Sequence, residues 1–84
     1  MNLALTLEKA GRFDDALKTY QTALEVYPEH IPTLQAVASL QLRTNRINKE
    51  TPTLLQKIAF RGETLHWRQW AQQQLGSLRD GTIR

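Results

Sequence analysis

The sequence predicts an all-α protein, and three observations predict it. Apolar residues recur three and four positions apart along most of the 84-residue chain, which sets them on one side of successive helices. Val and Ile are few, and no stretch alternates strictly between apolar and polar residues, as a half-buried strand would. Helix-stopping residues stand between the periodic runs, at Gly11, Pro28 and Gly62. About five helices follow from that punctuation.

The first helix spans Asn2 to Ala10, with Leu3, Leu7 and Ala10 on one face. Gly11 ends it, because glycine accepts the left-handed conformation that a helix C-terminus favours. Asp14 and Asp15 open the second helix, where carboxylates meet the positive end of the helix dipole. Ala16, Tyr20, Ala23, Leu24 and Tyr27 form its apolar stripe, and Pro28 closes it. The third helix begins near Ile31-Pro32, since proline suits a first turn. Leu34, Val37, Ala38 and Gln41 share one of its faces, broadened by Leu40 and Leu42. Arg43 to Arg46 then form a polar turn, with Asn45 in the left-handed role of Gly11. Thr51-Pro52 reads as the cap and first residue of a fourth helix, which carries Leu54, Leu55, Ile58, Ala59 and Phe60. Gly62 stops it. The fifth helix starts near Glu63-Thr64 and runs to about Leu78, with Trp67, Trp70, Ala71, Gln74, Leu75 and Leu78 on one face. The tail, 80–84, should fray.

The pattern returns after 34 positions. Leu3 and Ala4 fall on Val37 and Ala38, Gly11 on Asn45, Phe13 on Ile47, Tyr20 on Leu54 and Leu24 on Ile58. A second shift carries Val37 onto Ala71 and Gln41 onto Leu75. A helix with Ala4, a turn at Gly11, and a second helix with Ala16, Tyr20, Ala23 and Leu24 ending at Pro28 resembles the tetratricopeptide repeat, a helix-turn-helix unit of about 34 residues. The resemblance covers about residues 1–61, and its motif is strong over 1–30. It implies an α-α superhelix. Residues 1–30 are then a first repeat that enters about four residues late, and 31–61 a second, degenerate repeat. Residues 62–79 follow as a capping helix, with Arg68, Gln69, Gln72, Gln73 and Arg79 on its polar side, and 80–84 as the tail.

The second unit departs from the pattern. Ala16 maps to Glu50 and Ala23 to Lys57, so two small residues that let paired helices approach are lost, and Pro52 falls inside what would be the second helix. That helix should start late and be short or displaced.

Composition bounds the chemistry. The absence of cysteine excludes disulfides, thiolate metal sites and cysteine nucleophiles, and is compatible with a cytoplasmic location, the favoured one. No apolar run is long enough to span a membrane, and Met1 opens no signal peptide. Residues 1–42 carry three basic and five acidic side chains, whereas 43–84 carry eight and three. The basic half suggests either a solvated surface or an anionic partner, and nucleic acid is the alternative to be tested at Arg43, Arg46, Lys49, Lys57, Arg61 and Arg68. No nucleic-acid motif supports it.

No catalytic constellation stands out, and neither a cofactor nor a small-molecule substrate is implied. Asp14 and Asp15 diverge by about 100° on a helix and so cannot share a proton. Ser39 and Ser77 have no base near them in the sequence, and His30 and His66 lack partners at metal-ligand spacing. Trp67 and Trp70 share a face with Ala71 and Leu75, which argues for core over a binding platform.

The resemblance implies a non-catalytic scaffold that takes a peptide or helix in a concave groove lined by the first helix of each repeat. On this chain the groove positions are Asn2, Leu5 and Lys9, then Gln35, Ser39, Leu42 and Arg43. Some members of the family grip a C-terminal carboxylate there, but Pro32 stands where the clamp needs a lysine. The competing reading is structural. The chain is then a segment of a longer repeat protein, or it pairs with a copy of itself to cover Leu3, Leu5 and Leu7.

Overall fold

Five α-helices follow one another over residues 2–80, the residues described by the computed structural model: α1 (Asn2–Lys9), α2 (Phe13–Val26), α3 (Ile31–Arg43), α4 (Thr51–Arg61) and α5 (Leu65–Asp80). The side chain of Asn2 and the tail beyond Asp80 lie outside the described residues. Each helix packs on the next in chain order. The fold is an all-α helical repeat.

Helix α3 is the shared wall. It buries Thr33, Leu34, Gln35, Val37, Ala38, Leu40 and Gln41, more of its length than any neighbour. One side joins Ala4, Ala16 and Tyr20 to Val37 and Leu40. The other joins Leu34 and Ala38 to Leu55, Ile58 and Ala71. Ala4 and Ala38, one period apart, are 1% and 0% exposed. At both places the missing side-chain bulk lets a neighbouring helix come close.

The two expected left-handed turns are present and share one hydrogen-bond pattern. Gly11 has φ 79° and Asn45 has φ 58°. The amide of Arg12 donates to Leu7 O at 2.8 Å and that of Gly11 to Glu8 O at 3.0 Å. One period later, Arg46 donates to Gln41 O at 2.7 Å and Asn45 to Leu42 O at 3.4 Å. This is the Schellman arrangement, which satisfies carbonyls left open at a helix end.

Gly62 ends α4 for a different reason. Its φ is −56°, open to any residue, but a Cβ there would sit 2.7 Å from Ile58 O and 3.2 Å from Trp67 Cβ. The chain turns too tightly against α4 and α5 to admit a side chain.

Helix α4 does start late, with 11 residues against 14 in α2. Thr51 is not its cap. Glu50 precedes the helix, and Thr51 lies in its first turn, 0% exposed. The Thr51 hydroxyl accepts the Asn48 amide hydrogen at 3.1 Å and donates to Gln41 Oε1 at 2.8 Å. The hydroxyl thus stitches the displaced start of α4 to the core face of α3.

Several stripe residues fall elsewhere than periodicity alone places them. On α1, Ala4 is buried and Leu7 half-buried, whereas Leu3 and Ala10 are exposed. On α2, Ala16 and Tyr20 are buried and Leu24 packs against both clusters, but Ala23 is exposed, as is Tyr27 just past the helix end. Phe60 points away from the core of α4. On α5, Ala71 is buried and Trp67, Trp70, Leu75 and Leu78 pack against the second cluster, the two indoles edge to face with centroids 5.2 Å apart. Arg68 leaves the expected polar side: it is half-buried and donates to Gly62 O at 2.8 Å.

Candidate functional site

The expected groove positions lie on α1 and α3, and one ion pair relates these helices. Arg43 Nη2 donates to Glu8 Oε1 at 2.9 Å. Both residues stand near the C-terminal ends of their helices, so α1 and α3 bring the same ends together. The other Glu8 oxygen accepts a hydrogen bond from the Tyr20 hydroxyl. Glu8 is only 13% exposed, whereas Arg43 is 57% exposed. A half-sheltered carboxylate therefore holds an outward guanidinium in place.

Tyr20 feels this arrangement. Burial, the hydrogen bond to Glu8 and the Glu8 charge push its hydroxyl up to about 12, with the Arg43 charge opposing them.

The other groove positions divide. Leu5 is 48% exposed and Lys9 is also exposed. Ser39 and Leu42 are half-buried, with Leu42 leaning on the second cluster. Gln35 does not belong with them. It is 3% exposed, and its amide pairs with Glu63 in the α4–α5 turn. A side chain held on both its polar atoms in this way is a structural bridge between α3 and the α4–α5 turn. Leu5, Lys9, Ser39, Leu42 and Arg43 are the expected positions that keep some exposure. Asn2 keeps its place on α1, but its side chain lies outside the described residues.

Four of the eight cations in the basic half pair with carboxylates of the acidic half. Arg46 pairs with Asp14 at 2.7 Å and lies 5.4 Å over the Phe13 ring. Lys57 and Arg61 both reach Glu29, each at 2.9 Å. The hydrogen bond from Lys57, with the Lys57 and Arg61 charges, holds the Glu29 carboxyl below the usual carboxylate range. With Arg43 on Glu8 and Arg68 on Gly62, five of the six cations considered for nucleic acid have protein partners. Among the described residues, no group of three His, Cys, Asp or Glu could hold a metal ion, and no helix is long and apolar enough to cross a membrane. His30 Nδ1 lies 2.6 Å from the Thr33 hydroxyl.

Glu8 is the site residue that sequence reasoning missed. Local periodicity marks it only as polar. The usable signal was the period itself, since Glu8 and Arg43 stand one repeat and one residue apart, at matching ends of the two helices.

Residues 1–30 match the family model of the tetratricopeptide repeat. No curated protein and no solved structure matches the chain. The matched segment covers α1, α2 and the turn at Gly11, whose geometry recurs at Asn45. Residues 1–30, the α1–α2 pair, are therefore similar to a tetratricopeptide repeat, and the described residues as a whole form an all-α helical fold.

Proposed function

We propose that this chain is a non-catalytic protein-binding module that takes a peptide or helix of another protein along α1 and α3. The observation that carries the reading is the Glu8–Arg43 pair, which joins the two helices beside an exposed Leu5. Leu5 and Leu42 offer apolar contact, and Lys9, Ser39 and Arg43 offer polar contact. Arg43 is already oriented, so little side-chain entropy is lost when a ligand arrives. A preformed groove of this kind suits a helix or an extended segment.

The test is capture of partners from a lysate by the full chain and by Leu5→Glu and Leu42→Glu variants of unchanged helicity. Loss of the same captured protein in both variants is expected. Full retention in both sinks the groove assignment.

A second reading has its own observation. Leu3, Val37 and Ala71 occupy one position of the period; Val37 and Ala71 are buried by the preceding helix pair, but Leu3 is 61% exposed. That position favours cover by a further repeat or by a second copy. A concentration-dependent dimer in solution that Leu3→Glu dissolves would support self-association.

A further inference from the structure

Phe60 is 85% exposed, the most exposed large apolar side chain among the described residues. It does not stand alone. Thr53, Gln56, Lys57, Phe60 and Arg61 recur at helical spacing on the outer side of α4, opposite the buried Thr51, Leu55 and Ile58. This stripe carries two cations, one aromatic ring and no carboxylate of its own. Glu29, from the α2–α3 connection, forms the facing wall, and the six residues line an open cleft of about 480 Å³. The equivalent of Phe60 one period earlier, Val26, is also 66% exposed.

The cleft already displays the chemistry it would recognise. Lys57 Nζ meets one Glu29 oxygen and Arg61 Nη1 the other, each at 2.9 Å. Two cations share one carboxylate, so a positive charge is left over beside an exposed phenyl ring. We infer that this outer face of α4 is a second docking surface, separate from α1 and α3, for an acidic peptide segment that sets an Asp or Glu next to an apolar side chain. The peptide's carboxylate joins or displaces Glu29 at Lys57 and Arg61, and its apolar neighbour covers Phe60. Charge complementarity selects this occupant, and the aromatic ring supplies the apolar anchor that interfaces favour. Glu29 acts as an internal competitor.

The experiment is a selection from a random-peptide display library on the immobilised full chain, followed by titration of synthetic recovered peptides. The expected peptides are enriched in Asp or Glu beside aromatic or leucine residues. Their affinity should fall at least about tenfold in Phe60→Ser and in the double variant Lys57→Glu, Arg61→Glu. It should rise about two- to fivefold in Glu29→Gln, because the competing carboxylate is gone. It should be unchanged in Leu5→Glu and Leu42→Glu, which separates this surface from the groove. These substitutions on α4 replace side chains that face outward, and circular dichroism of each variant checks that the fold is kept. Recovery of no peptide, peptides without acidic enrichment, binding indifferent to Phe60→Ser, or weaker binding in Glu29→Gln would each overturn the inference. A concentration-dependent dimer lost in Phe60→Ser would assign the face to a second copy instead and overturn it too.

Discussion

Gln35 of α3 and Glu63 of the α4–α5 turn exchange two hydrogen bonds. Gln35 Nε2 donates to Glu63 Oε1 at 2.8 Å, and the Glu63 amide donates to Gln35 Oε1 at 2.9 Å. Two positions 28 apart in the chain are thereby pinned together. Gln35→Ala removes a charge-assisted bond and leaves the Glu63 amide without its acceptor. It should lower stability by about 1–3 kcal/mol in urea unfolding. Glu63→Gln keeps the backbone bond and should cost much less.

The Thr51–Gln41 pair makes a complementary prediction. Both residues are almost fully buried, and the Thr51 hydroxyl is the donor to Gln41 Oε1. Thr51→Val keeps the shape but strands a buried acceptor, for a loss of about 1–3 kcal/mol. Replacing both polar partners, Thr51→Val with Gln41→Leu, should recover part of that loss, because no buried acceptor is left unpaired. A double-mutant cycle in urea measures the difference.

Asn45 tests the recurring turn. Its φ of 58° suits glycine, and also asparagine, whose short polar side chain can hydrogen-bond locally, but is strained for most other residues. Asn45→Ala should destabilise by about 1 kcal/mol and Asn45→Gly by little, on the same unfolding measurement. Equal losses would show that the side chain matters rather than the backbone.

Tyr20 predicts an alkaline limit. Its hydroxyl is raised to about 12 in the folded protein, whereas an unfolded tyrosine titrates near 10. The unfolded chain therefore gives up this proton first. The stability linked to Tyr20 is fully present below about pH 10 and drains away as pH rises toward the folded value. Tyr20→Phe should flatten that part of the stability profile in thermal melts between pH 9 and 12, relative to the parent chain.

Much of this architecture was legible in the residues. Gly11 and Asn45 marked two equivalent turns because only certain residues accept a positive φ, and Pro28 and Pro52 marked a helix end and a late start because proline cannot sit deep in a helix. The side-chain bridges were not legible. Glu8–Arg43, Gln35–Glu63 and Gln41–Thr51 join separate elements, and each residue looks like an ordinary polar position within its own helix or turn. Periodicity alone also set the stripe of α1 in the wrong register. It placed Leu3 and Ala10 there, whereas close approach made Ala4 the buried residue. The ion pairs between the two halves were not legible either, since pairing across elements is a property of the folded chain.

The groove is the central claim, and hydrogen exchange on the complex with a captured partner tests it most directly. Binding along α1 and α3 predicts slowed exchange over residues 3–9 and 36–43, centred on Leu5 and Arg43, with α5 unchanged. Protection confined to α4 and the α2–α3 connection, with α1 and α3 exchanging as in the free chain, would contradict it.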